Sequence, residues 1–113
     1  MAHNRRVNYY AYHLMKDLYM KEFYAYYLKE HSNRTCRRLH YVGTLCALIS
    51  LIGIIYKQRT DIIYLPFICG YLPAWIGHFF FEKNRPATFK HPLKSLVCDF
   101  IMFFDMTRGK IPW

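Results

Sequence analysis

The segment Trp75 to Ala87 reads W-I-G-H-F-F-F-E-K-N-R-P-A, and in it an apolar run gives way to His78, Glu82, Asn84 and Arg85. His78 and Glu82 stand four residues apart, so a helix places them on one face, one turn from each other. An imidazole and a carboxylate held that way can share a metal ion or a proton. His31 and His40 offer two further imidazoles. Histidine and carboxylate ligands suit non-haem Fe(II), Zn or Mn, and two or three histidines with an acid around an open position is the composition of sites that activate oxygen. Spacing leaves the metal undecided. A lone histidine at a helix end is more often a cap or a hydrogen-bonded packing residue, so the metal reading depends on whether the imidazoles converge.

The elements that would bring them together are two uncharged blocks, Tyr41 to Tyr56 and Ile62 to Phe81. As helices rising ~1.5 Å per residue they span roughly 24 and 30 Å, against a hydrocarbon core of about 30 Å. Lys57 to Asp61 between them is short and polar, which predicts a helical hairpin with both outer ends on one side. His40 and His78 are equally far in sequence from Arg59 at the tip. In antiparallel helices of equal rise their imidazoles therefore fall at one depth, and His31 at the preceding junction can lean over the same spot. Pro86 removes a backbone donor and disfavours helical geometry at Arg85, so the second helix ends near it. Pro66, Gly70 and Pro73 predict a kink in that helix, serving either a ligand or packing.

Flanking helices are expected on both sides. Tyr9 to Glu30 reads as a helix whose tyrosines suit a membrane interface or simply pack on the hairpin. Ser32 or Asn33 can cap the helix that follows. Pro92 to Thr107 is amphipathic and too short to cross a bilayer easily, so it should lie against the hairpin or dip into the interface. It carries Asp99 among apolar residues, an acid that needs a partner. Arg85, Lys94 or Arg38 could bridge it, or it could act near the site. His3, His13 and His91 lie in polar, interfacial or loop sequence and are left outside the site.

The fold class is all-α, a small helical membrane protein with a central transmembrane hairpin, and residues 1–113 form a single domain. Of the lysines and arginines, eight precede Tyr41, two lie at the tip and six follow Phe81. The positive-inside rule then places both termini in the cytoplasm, in a bacterial inner membrane or the endoplasmic reticulum. The net charge of +9 reads as a skirt facing anionic lipid. Nucleic acid is not an expected partner, because no basic repeat, zinc-finger spacing or recognition-helix pattern accompanies the charge. Met1 to Arg6 is basic with no apolar core behind it, unlike a signal peptide. Cys36, Cys46, Cys69 and Cys98 are scattered, with no C-x-x-C and no zinc-ribbon spacing. No G-x-G-x-x-G, phosphate loop or G-x-S-x-G elbow is present, which leaves nucleotide-dependent and serine-hydrolase chemistry unsupported.

The pattern F-Y-x-Y-x-x-x-H-S-N-R, then L-H-Y-V-G, W-I-G-H-F-F-F-E-K-N-R-P-A-T and P-L-x-S-L-x-x-D-F, resembles the Mpo1-like family over Phe23 to Phe104. The resemblance implies a small multi-pass membrane protein. The family's characterised fungal member is an Fe(II)-dependent dioxygenase of the endoplasmic reticulum that shortens 2-hydroxy fatty acids by one carbon in α-oxidation. Carried over residue by residue, the ligands fall on His31, His40 and His78. Glu82 would be a fourth ligand, a histidine orienter or a base, and Asp99 a further acid. Asn84, Arg85 and Arg38 are the expected contacts of the substrate's head. The implied cofactor is Fe(II), and the implied partners are a 2-hydroxy fatty acid, O2 and the lipid bilayer. Two rival classes stay open: a non-catalytic membrane protein binding anionic lipid, and a metal-dependent lipid hydrolase or isomerase.

Overall fold

The computed structural model describes residues 20–113, and all its regular elements are helical. Four helices build it: α1 (20–29), α2 (Arg34–Lys57), α3 (Leu65–Ile76) and α4 (Pro92–Thr107). The part of the expected Tyr9 to Glu30 helix before residue 20 lies outside the described residues, as do His3 and His13. Asn33 starts α2 by accepting the Cys36 N–H at 3.1 Å, which satisfies one of the donors a helix start leaves open. At the other end Gln58 turns left-handed, and its N–H closes on the carbonyls of Ile54 and Ile55. Arg59 and Asp61 pair across the tip at 2.9 Å.

The second apolar block is not one uniform helix. A 3-10 turn (Thr60–Ile62) leads into α3, which opens with Pro66 in its first turn, where a missing N–H costs nothing. From Gly77 to Glu82 the winding loosens to a π-helix, and Lys83, left-handed at φ 58°, ends it. The expected stop near Pro86 thus comes a turn earlier. Pro73 sits inside α3 and leaves a backbone acceptor unused one turn before it.

α2 and α3 pack antiparallel, at a separation set by two glycines. A Cβ on Gly43 would stand 2.9 Å from the Gly70 carbonyl oxygen and 3.1 Å from that of Cys69. A Cβ on Gly77 would stand 3.0 Å from the Cys36 sulfur and 3.1 Å from its Cα. α2 and the continuous helical stretch Thr60–Glu82, of which α3 is the middle, are each long and apolar enough to cross a membrane. A soluble protein would bury such helices, yet only 17% of each apolar window is buried, and Ile52, Tyr56 and Phe80 are 67%, 84% and 71% exposed. An apolar surface of that extent suits a lipid environment.

The buried core lies at the other end, where Phe23 and Tyr27 of α1 pack on Cys98, Met102 and Met106 of α4. Tyr24 donates to Asp105 at 2.7 Å, and Arg108 closes the same carboxylate at 2.8 Å. α1 and α4 thereby clasp the open end of the hairpin.

Gly43→Ala should lower stability by about 1–3 kcal/mol, because its methyl must push backbone aside. Gly53→Ala, with nothing within 4 Å, should be neutral or stabilise by up to about 1 kcal/mol. Paired thermal melts in detergent check this, and equal melting points for the two variants would contradict the close crossing.

Candidate metal centre

His31, His40 and His78 meet at the open end of the hairpin. They are 1%, 5% and 2% exposed, and their rings stand edge to face, with centroids 4.4 Å (His31 to His40), 4.4 Å (His31 to His78) and 4.8 Å (His40 to His78) apart. One arrives on the turn after α1, one on the second turn of α2 and one on the π-helical segment. Their candidate ligand atoms all lie within 4.8 Å of one another.

The hydrogen bonds fix which nitrogen is free. His31 Nδ1 donates to the Tyr27 carbonyl at 2.6 Å, and His40 Nδ1 to the Cys36 carbonyl at 2.9 Å. His78 Nδ1 faces Asn84 Oδ1 at 2.7 Å. Asn84 spends its amide hydrogens on the Glu30 backbone carbonyl and carboxylate, at 3.0 and 2.7 Å, so its oxygen must accept and His78 must donate. All three rings therefore carry their proton on Nδ1 and leave a lone pair on Nε2. Burial, then the neighbouring His40 and His78, drives the pKa of His31 down to about 2.

This arrangement tests whether a metal fits. The Nε2 atoms of His31 and His40 are 3.0 Å apart, a hydrogen-bond distance with no proton between two lone pairs. A cation resolves the conflict. Imidazole nitrogens bind a zinc-type ion at about 2.0–2.1 Å, which sets two such ligands about 3 Å apart. The donor set fits a divalent borderline metal, and three neutral nitrogens leave its charge available to an anionic ligand.

Around the imidazoles stands a shell of orienting groups, the usual companion of histidine ligands. Tyr27 is 1% exposed; besides accepting from His31 it stacks on that ring at 3.9 Å and donates its hydroxyl to Asp99. Arg37 donates to the carbonyls of His31 and Ser32 at 3.1 and 2.8 Å, holding the junction from outside.

The other residues singled out in the sequence are distributed differently. Glu82 accepts the Asn33 N–H and, at 3.3 Å, the Ser32 hydroxyl, so its carboxylate closes the start of α2 and is not in the three-imidazole group. Asn84 orients His78. Asp99 takes the Tyr27 hydroxyl rather than a cation from Arg38 or Arg85, and burial lifts its pKa to about 7 against the opposing pull of that bond. Arg38 lies over the Trp113 ring at 5.4 Å and donates to its carbonyl at 3.3 Å. Arg85 lies 5.7 Å from the Phe89 ring centroid. His91 packs edge-on against Phe23 at 5.2 Å and is not in the three-imidazole group. Tyr27 could have been found from its spacing, four residues before His31 on one helical face; Arg37 and Glu30 carry no comparable signal.

A family model described as 2-hydroxy-palmitic acid dioxygenase Mpo1-like matches residues 18–111. No curated protein and no solved structure matches the chain.

Asn84→Ala frees His78 to rotate and should weaken metal binding by about 10–100-fold while leaving helical content unchanged. Competitive titration against a chelator checks this, and wild-type affinity in the variant would contradict the orienting role.

Proposed function

Because the chain belongs to the Mpo1-like family, we propose that it is a membrane-embedded, non-haem Fe(II)-dependent dioxygenase that shortens 2-hydroxy fatty acids by one carbon. The observation that carries this reading is the convergence of three buried imidazoles, each with its Nδ1 proton given to the chain, beside an apolar cleft lined by His40 and Asp99. His31, His40 and His78 would hold the metal. When bound, Fe(II) supplies Lewis acidity and the capacity to activate dioxygen.

The chain's own residues do the rest by position and exclusion. The Tyr27 and Cys36 carbonyls and Asn84 keep three imidazoles in one tautomer, so no proton competes for the site. With no carboxylate in the imidazole group among the described residues, an anionic substrate head would meet an unneutralised charge. Tyr71, Ala74 and Trp75 wall the centre, which limits water and strengthens each electrostatic contact inside. Asp99 lines both the cleft and the centre and is the acid placed to take or return a proton at the substrate's hydroxyl. Glu82 supports the site through the start of α2. Arg38 and Arg85, engaged with Trp113 and Phe89, have no part in this proposal.

The two apolar helices cross the membrane in this reading, with the basic outer ends in the cytoplasm and the two-cation tip away from it. A fatty acid entering from the bilayer then has its head at the interface, at the depth of the imidazoles.

Purified protein given Fe(II), O2 and a 2-hydroxy fatty acid should consume oxygen and release a product one carbon shorter, and His78→Ala should abolish this. Equal turnover without oxygen would point to a hydrolase or isomerase, and no turnover in protein that holds no metal would point to a lipid-binding role. Separately, Gln58→Cys in a background without native cysteines should be labelled only from the non-cytoplasmic side. Labelling only from the cytoplasm would refute the topology.

A further inference from the structure

Two cavities adjoin at the imidazoles. The larger, about 300 Å³, runs between α2, α3 and α4, from His40 to Leu51 and Ile63 near the tip. That stretch of α2 is about 16 Å long at helical rise. The smaller, about 10 Å³, lies against all three imidazoles and includes Ser95 and Thr88. It holds one water-sized group. His40, Tyr71, Ala74 and Asp99 line both cavities, so the apolar cleft and the compartment at the imidazoles share a wall.

Ser95 is 1% exposed and lines the smaller cavity, yet its Oγ has no hydrogen-bond partner among the described residues. Buried hydroxyls are normally paired, so an unpaired one facing a cavity beside a candidate metal centre is placed for a ligand's polar atom. Gly70 lies on the cleft wall. A Cβ there would have only the Ala47 Cβ nearby, at 3.7 Å, so a side chain fits without displacing backbone and narrows the passage between the head end and Phe67.

We propose that the cleft is an acyl-chain site, with the chain's depth controlled at Gly70 and its polar head hydrogen-bonded by Ser95. The inference rests on the proposed 2-hydroxy fatty acid substrate and adds the residues that select it. A single-chain acid is the occupant that fits, since the cleft is apolar along its length and the small cavity beside Ser95 has room for one polar group of the acid's head. A glycerophospholipid presents a head too large for it.

The test is photolabelling of the full chain in detergent under anaerobic conditions, where no turnover consumes the probe. The probes are 2-hydroxypalmitic acid and a short-chain homologue, each with a diazirine at the tail end, and metal content is measured on every sample. Wild-type protein should be labelled by the long probe at Leu51, Ile63 or Phe67. Gly70→Leu should cut long-probe labelling about tenfold and spare the short probe, with the milder Gly70→Ala falling between. Ser95→Ala should weaken labelling by both probes about fivefold without changing metal content, whereas the same probes lacking the 2-hydroxyl and carboxylate should not respond to it. Labelling spread over the outward faces at Ile52, Ile55 and Phe80, unchanged in all variants, would overturn the proposal. So would equal labelling of the cleft by a phospholipid probe. Cleft labelling in protein without oxygen-dependent turnover would sink the dioxygenase reading alone; turnover with labelling outside the cleft would sink this inference alone.

Discussion

Three buried imidazoles that crowd together after giving their Nδ1 protons to the chain form an arrangement that disfavours itself. Each ring has spent its N–H on an oxygen of the chain, and two of the facing nitrogens stand 3.0 Å apart with nothing between them to share. Desolvation removes the alternative of protonating one ring, as the depressed pKa of His31 indicates. A divalent cation relieves both problems at once. Much of the surrounding structure serves to keep those rings from turning away: the α1 carbonyl at Tyr27, the Cys36 carbonyl one turn before His40, and the Glu30–Asn84–His78 chain.

That constraint explains features that would otherwise look unrelated. Gly77 lets α3 approach Cys36 so closely that His40 and His78 come within reach across the helix pair. Beyond Gly77 the winding widens to π, a form that tends to occur at functional positions, and the His78 carbonyl then accepts from Lys83 and Asn84. Glu82 ties the end of this segment to the start of α2, so the same few residues close the hairpin and aim its imidazoles. The hairpin's outer surface carries no such demands, and it presents apolar side chains instead.

Much of this was legible in the sequence. The uncharged blocks with a polar tip predicted the hairpin, and Pro92 to Thr107 matches α4. The equal spacing of His40 and His78 from Arg59 predicted a shared depth, because antiparallel helices of equal rise convert sequence distance into height. His31 followed from its place at the junction. The orienting partners were harder to read, since a backbone carbonyl at Tyr27 or Cys36 leaves no mark in residue type. Glu82 was legible as a carboxylate near His78, but a carboxylate near a helix start is equally suited to capping, and only the fold shows which N–H it meets. Arg38 and Arg85 offered charge without position. Ser95 and Gly70 are common residues in apolar helices, and they become informative only when the cavities beside them are visible.

X-ray absorption on the purified chain loaded with one equivalent of Fe(II) would read the ligands at the imidazole cluster. The expected spectrum is dominated by imidazole scattering from three histidines, losing one imidazole or the metal altogether in each of His31→Ala, His40→Ala and His78→Ala. Iron ligated by oxygen alone, or a spectrum indifferent to all three substitutions, would contradict it.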